Sequence, residues 1–420
     1  MGNEIKQPTQ LTARFALCVL LVVGGFIAGA VFDRQGLSTV APIADVPASA
    51  QPDFQLMAQA WNVITDTYVD RAAVIPRNLT YGAISGMVDA LGDTGHSRFL
   101  TPKMVKEENN QEQGQLNGVG IEVEVKNGNI VVVAPLDNTP AQKAGIRAGD
   151  IIESVDGKSV SGLSLSQVVS MVTGPPGTSV TLTIVDPSTN TTHNYKLTRA
   201  KITIDNAVWQ PLPGTTVAHV RVAAFSQGVS KDLQKVLAQV SQQHMTSVIL
   251  DLRDNPGGLL SEAVGVTSQF VVTGNVLLEK DAKGKITPIP VEPSGPVNSL
   301  PMVVLVNQGT ASAAEITAGA IQDAQRAKLV GEVTFGTGTV LNQVGLSDGS
   351  AILIAVQEWL TPSGKTIWHK GITPDVTVSL PHNVSPLTPE VERSMTAAQV
   401  RSSGDAQLLK GYELLTGKSY

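Results

Sequence analysis

The sequence predicts a multidomain α/β protein behind an apolar N-terminal segment, and three observations carry that expectation. From 206 to 380, apolar strand-like runs alternate with helical periodicity, as in a layered α/β core. From 118 to 185 the pattern changes to short strands, glycine turns and one amphipathic helix, a smaller β-rich unit. A chain of 420 residues with 42% hydrophobic content is also long enough for two or three cores.

Residues 15–32 carry no charge, follow Lys6 and Arg14, and are just long enough to cross a bilayer. They are expected to form an uncleaved single-pass anchor, with 1–14 cytoplasmic and the folded domains extracytoplasmic at the cell membrane. Small-residue sites at Ala28-Gly-Ala30 and Ala48-Ser-Ala50 keep a cleaved signal and a secreted product open. Cys18, the sole cysteine, lies inside this run, which excludes disulfides, thiolate zinc sites and cysteine nucleophiles from the folded part. Residues 33–53, rich in Ala, Pro and Ser, read as a linker.

Apolar residues at helical spacing over 54–68 and 81–91 place a helical region at 54–113. His96 has no second metal-ligating residue beside it, and a turn hydrogen bond accounts for it better. Residues 114–186 hold the β-rich unit, and 187–382 the larger core, with strands expected at 217–225 and 247–252 and helices at 229–242 and 259–271. The tail 383–420 is polar and carries no recognisable chemistry. Formal net charge is −6 with no long run of one sign, so neither nucleic acid nor an anionic membrane surface is an expected partner.

Chemistry concentrates where the apolar run 302–306 breaks before a segment of small helix formers, 313–321. Ser312 stands at that junction, where free backbone N–H groups and the positive helix end can stabilise an oxyanion. Helix capping would explain an isolated serine equally well. Upstream, Asp251-Leu-Arg-Asp-Asn-Pro-Gly-Gly follows another apolar run, and its two glycines let backbone amides approach a ligand closely.

Together with Asp323, Gly331-Glu-Val-Thr-Phe-Gly336 and Thr361-Pro-Ser-Gly364, these segments resemble the carboxyl-terminal processing peptidases, or tail-specific proteases, in the family's order from 54 to 378. The resemblance implies an α/β serine-peptidase core with Ser312 as nucleophile and an oxyanion hole from Gly257 or Gly258 and Ala313. It implies a PDZ domain at 114–186, whose Gly118-Val119-Gly120-Ile121 loop and strand hold a peptide's terminal carboxylate. No metal or organic cofactor is implied, and the expected partners are polypeptide substrates or protein C-termini.

Three positions depart from the family pattern. Its general-base lysine falls on Thr337, 25 residues after Ser312 (337 − 312), and its glutamine falls on Leu341. A lysine serves as base when desolvation lowers its pKa, whereas a threonine hydroxyl has no useful basicity near neutrality. The arginine that the family often carries before the Gly-x-x-Gly turn of the PDZ domain is Thr173 here. His369 occupies a family glycine position and is a candidate replacement base, with Glu358 to orient it. Packing beside Trp368 is the bland account of His369, and Lys365 and Lys370, as exposed loop cations, stay protonated.

Three readings of function follow. The first is a membrane-anchored serine endopeptidase that binds tails through its PDZ domain and cleaves with an altered site. The second is an inactive pseudopeptidase that binds or scaffolds protein C-termini. The third is an adaptor acting through the PDZ domain alone.

Overall fold

The computed structural model describes residues 39–41, 45–92, 97–112, 115–126, 128–163, 165–203, 205–292, 299–381 and 384–420. The expected anchor at 15–32, Cys18 and His96 lie outside that set. Among the described residues no helix is long and apolar enough to cross a membrane.

Strand β1 (Thr39–Val40) arises inside the stretch whose composition reads as linker, and it pairs in parallel with a strand of the core. An open sheet edge supplies hydrogen bonds to any extended backbone, so so short a strand leaves no trace in composition. Helices α1 (Gln51–Thr67) and α2 (Pro76–Asp89) both carry proline in the first turn, where its missing N–H has no intrahelical partner to lose. Strand β2 (Arg98–Leu100), helix α3 (Pro102–Glu112) and strand β3 (Gln115–Gly118) then lead into the PDZ unit.

That unit consists of β4 (Ile121–Lys126), β5 (Asn129–Pro135), α4 (Pro140–Ala144), β6 (Ile151–Val155), β7 (Lys158–Ser159), α5 (Leu165–Val172), β8 (Ser179–Asp186) and β9 (Thr191–Thr198). Its antiparallel sheet runs β4-β5-β6-β8-β9, with β7 on β6. Val132, Ile152, Val168, Val180 and Leu182 form a closed core between sheet and helix. The unit extends to Thr198, past the boundary expected at 186, because β9 pairs along the whole of β8. Strand β10 (Ala200–Thr203) then pairs with β3, so the chain enters and leaves the unit side by side.

The core sheet contains β11 (Ala207–Pro211), β12 (Val217–Val222), β13 (Ser247–Asp251), β16 (Met302–Val306), β17 (Lys328–Gly331) and β20 (Val376–Thr377) in that spatial order. Only β11 runs antiparallel. Val248, Leu250, Val304 and Val306 face a layer made by helices α6 (Val229–Gln242), α7 (Leu260–Thr267) and α8 (Ala313–Asp323). Ile249, Val303, Leu305 and Val330 face the opposite way, against Leu387, Val400 and Leu408. The segment expected to be a tail thus folds into α9 (Pro389–Glu392), α10 (Ala397–Arg401) and α11 (Ala406–Thr416) and covers the second face. A sheet buried on both sides requires that layer. A second sheet runs β1-β18-β19-β14-β15 through β14 (Asn275–Asp281), β15 (Ile286–Pro290), β18 (Thr339–Gly345) and β19 (Ala351–Leu360). It takes β2 onto β19 and so ties the N-terminal region to the core.

Candidate active site

Parallel strands β13, β16 and β17 end together, and the loops that follow them meet at their carboxyl ends, the usual place for a site in an open α/β sheet. Hydrogen bonds stitch the loops to one another. Asn307 Oδ1 accepts from the Asp254 N–H (2.8 Å) and from the Gly309 N–H (3.1 Å). The Thr310 hydroxyl donates to the Leu252 carbonyl (2.8 Å), the Ala311 N–H to the Asn255 carbonyl (2.9 Å), and the Phe335 N–H to the Thr310 carbonyl (3.0 Å).

Ser312 sits at this junction as the residue before α8, with φ 51° and ψ −122°. Those torsions are costly for a residue with a Cβ and persist only where the surroundings over-determine them. Gly257 is one such surrounding. A Cβ there would lie 2.6 Å from the Ser312 Cβ and 2.8 Å from the Ala313 nitrogen, and its φ of +97° suits glycine alone. Glu315 is another. Fully buried, its carboxylate accepts from the backbone N–H groups of Ser312 (3.0 Å), Gly336 (2.9 Å) and Thr337 (2.9 Å) and from the Thr334 hydroxyl. Burial pushes its carboxyl up to about 7, against the pull of those four donors.

Ser312 opens into a cleft of about 300 Å³ between the core and the PDZ unit. Gly257, Gly258, Ala313, Thr337 and Leu341 line it together with Glu122, Val123 and Glu124 of β4. The Gly257 N–H is occupied by Asn255 Oδ1 (2.9 Å), while among the described residues the Gly258 and Ala313 N–H groups have no hydrogen-bond partner. The cleft therefore brings together Ser312, Gly257, Gly258, Ala313, Thr337 and Leu341, but neither His369 nor Glu358. His369 is exposed, its ring stacks on Trp368 with centroids 4.8 Å apart, and it is absent from the cleft lining. The His369 N–H donates to the Gly336 carbonyl (2.9 Å), and its φ is 60°. Glu358, expected to orient that ring, is bound instead by Lys280 (3.0 Å) and the Thr366 hydroxyl (3.1 Å).

The PDZ groove, about 110 Å³, is lined by Gly118, Val119, Gly120 and Ile121, by α5, and by Met104 and Glu108 of α3. Gly120 is required where it stands, since a Cβ would lie 2.3 Å from the Thr139 side chain. Thr173 lines the groove, and Arg199, unnoticed in the sequence, closes its helix by donating to the carbonyls of Met171 (2.9 Å) and Val172 (2.7 Å). Arg98 and Glu108, joined at 2.8 Å, line both the groove and the cleft.

Sequence reading also missed a buried charge network under the site. His219 lies between Glu392 (2.8 Å) and Asp251 (3.1 Å), and Arg253 bridges Asp251 (2.7 Å) to Asp405 (2.8 Å), all of them inaccessible to solvent or nearly so. Arg221 adds Asp137 of the PDZ unit to the same network. A charged pair inside Asp251-Leu-Arg253 was its one visible trace, because the other members are far away in sequence.

Comparison with known proteins agrees with this construction. A model described as peptidase family S41 matches residues 216–378, and one described as a PDZ domain matches 131–186. The chloroplastic C-terminal processing peptidase of Tetradesmus obliquus is 34% identical over 343 residues, covering 78% of this chain and 74% of that protein. The carboxyl-terminal-processing protease of Synechocystis sp. is 32% identical over 384 residues, 86% of this chain and 87% of its own. Among solved structures, the photosystem II D1 C-terminal processing protease superposes with a TM-score of 0.67 at 32% identity, over 83% of this chain and 97% of its own. Identity of this extent across both units places the chain in the carboxyl-terminal processing serine protease family, with a PDZ domain joined to an S41 core.

Proposed function

We propose that the protein is a serine endopeptidase that takes polypeptides by their C-terminal tails, held outside the cytoplasm by residues 15–32. The observation that carries this reading is the constrained Ser312 opening into a cleft whose other wall is the PDZ strand β4. A tail added along the edge of β4 would enter beside the nucleophile. Ser312 attacks the scissile carbonyl, and the N–H groups of Gly258 and Ala313 receive the oxyanion. Gly257 acts by shape, its N–H already being engaged.

The inert reading has its own observation: Thr337 and Leu341 both line the cleft, where relatives of the standard pattern present an amine and an amide. One experiment separates the two. Purified wild-type protein is treated with a fluorophosphonate probe and, separately, with an unfolded polypeptide of known tail sequence; labelling at Ser312 and cleavage are expected, both abolished by Ser312→Ala with tail binding retained. No labelling and equal background cleavage in the two proteins would leave the binding scaffold as the function.

A further inference from the structure

We propose that Arg98 receives the terminal carboxylate of a polypeptide tail in the PDZ groove, and that the Glu108 carboxylate of α3 holds that place until a tail displaces it; this deepens the tail-binding reading and rests on it. Among the described residues that line the groove Arg98 is the only cation, with Glu107, Glu108 and Glu122 as its acidic neighbours. It borders the same small groove as the 118–121 loop, the backbone cradle for a tail's end in a domain of this kind. Arg98 does not belong to the PDZ unit. It stands on β2, whose pairing with Leu353 of β19 fixes it to the core. A guanidinium, always charged and forked, is the side chain best matched to a carboxylate.

The place is filled from within the chain. Nη2 of Arg98 donates to both oxygens of Glu108 at 2.8 Å, and the two side chains are 17% and 26% exposed, open enough to exchange partners. Both oxygens converge on one nitrogen instead of spanning the fork, so a carboxylate that does span it can displace them. The exchange conserves charge: one carboxylate leaves as another arrives, beside Glu122 and Glu124, whose charges already act on this guanidinium.

Helix α3 can give way. With Met104 and Glu108 as part of its wall, the groove measures about 110 Å³, against roughly 300 Å³ or more for sites that enclose a small ligand. A tail of several residues therefore needs α3 to withdraw. Among the described side chains of α3 Met104 alone is buried, packed on Leu100, Ala351 and Leu353. An element held by so few apolar contacts opens more readily than the core beneath it.

The test is tail binding by the full chain, read by fluorescence anisotropy with a labelled decapeptide that ends in valine, to suit the apolar α5 side of the groove, as free acid and as C-terminal amide. Wild type should prefer the acid. Glu108→Gln, a near-isosteric change at a half-buried position, should bind the acid roughly tenfold tighter and improve less with the amide, because the internal competitor has lost its charge. Arg98→Gln should lose most of the acid-over-amide preference, on the order of tenfold. Loss of packing alone moves acid and amide together, so the ratio between them isolates the carboxylate contact. Acid binding no tighter in Glu108→Gln than in wild type overturns the proposal, as does a wild type indifferent to the amide or an undiminished preference in Arg98→Gln; tail binding itself then stands. Should Arg98→Gln fail to fold, Glu108→Gln decides alone. Binding of neither peptide by wild type or by Glu108→Gln sinks the tail-binding reading, and this inference with it.

Discussion

Asp405→Ala should destabilise the core by about 4 kcal/mol, although residue 405 lies beyond every element that carries the site. Arg253 is wholly buried, and its guanidinium is shared between two carboxylates: Asp251 at 2.7 Å and Asp405 at 2.8 and 2.9 Å. The same Asp405 carboxylate accepts from the Leu387 N–H (2.8 Å) and caps α11 through the Leu408 N–H (3.0 Å). Removing it leaves a guanidinium half-paired in a place water does not reach, a loss of roughly 3–5 kcal/mol for a broken buried pair. The lost cap by itself is worth about 1 kcal/mol, and because one carboxylate serves both roles the two figures overlap rather than add. An exposed pair of the same geometry would contribute under about 1 kcal/mol, so the magnitude tests burial itself. At about 2–4 °C per kcal/mol for a unit of this size, the core transition in calorimetry should fall by roughly 8–16 °C. Asp405→Asn, which keeps an acceptor for the cap, should fall between wild type and alanine. A change below about 1 kcal/mol in urea unfolding would refute the reasoning, and 384–420 would then be a passenger on the sheet.

Two further outcomes follow from the same framework. Burial opposes the charge of His219, but the carboxylates of Glu392 and Asp251 on its two ring nitrogens outweigh it and hold the imidazole up to about 9. Because the folded value exceeds the unfolded one, the stability this group contributes is complete below about 6.5 and is lost as pH rises through about 9. Urea midpoints measured from pH 6 to 10 should therefore decline over that window in wild type and lose the decline in His219→Gln; a flat wild-type profile would refute it. Gly257→Ala should lose probe labelling at Ser312 by about 10²-fold or more while tail binding persists, since the new Cβ must displace Ser312 or Ala313. Labelling at the wild-type rate would show that the close approach of Gly257 is dispensable.

Much of this fold could be read from residues alone. Helix 229–242 stands where periodicity puts it, and the one amphipathic helix expected within 118–185 is 165–172, because each buries one stripe and exposes the other. Helix α7 ends at Thr267, short of 271, since Phe270 and Val271 continue the apolar run by packing into the core without remaining helical. The C-terminal layer was the largest omission, and its signal lay elsewhere in the chain. Val303-Val-Leu-Val306 is apolar at every position, so the strand could not have had a wet face, and something had to cover the second one. Helices α9 to α11 do so with a few buried side chains set in polar sequence, a pattern too sparse to announce a core on its own.

The site divides along the same line between what a chain shows locally and what folding assembles. Ser312, Gly257 and Gly258 were legible because a nucleophile at a helix start and glycines after a strand need particular residues at particular spacings. His369 was a signal of the same local kind: its chemistry suited a base, but its ring is exposed, stacks on Trp368 and does not line the cleft. Glu315 was overlooked for the opposite reason, since a glutamate at the third helical position is an ordinary capping residue. Only in the folded chain does its carboxylate reach Gly336 and Thr337, joining α8 to the loop that follows β17. A buried carboxylate that accepts from four donors acts here as a fixed brace: through the Ser312 N–H it holds the serine backbone in its costly torsions, and through Thr334, Gly336 and Thr337 it fixes the loop on the other side of the cleft.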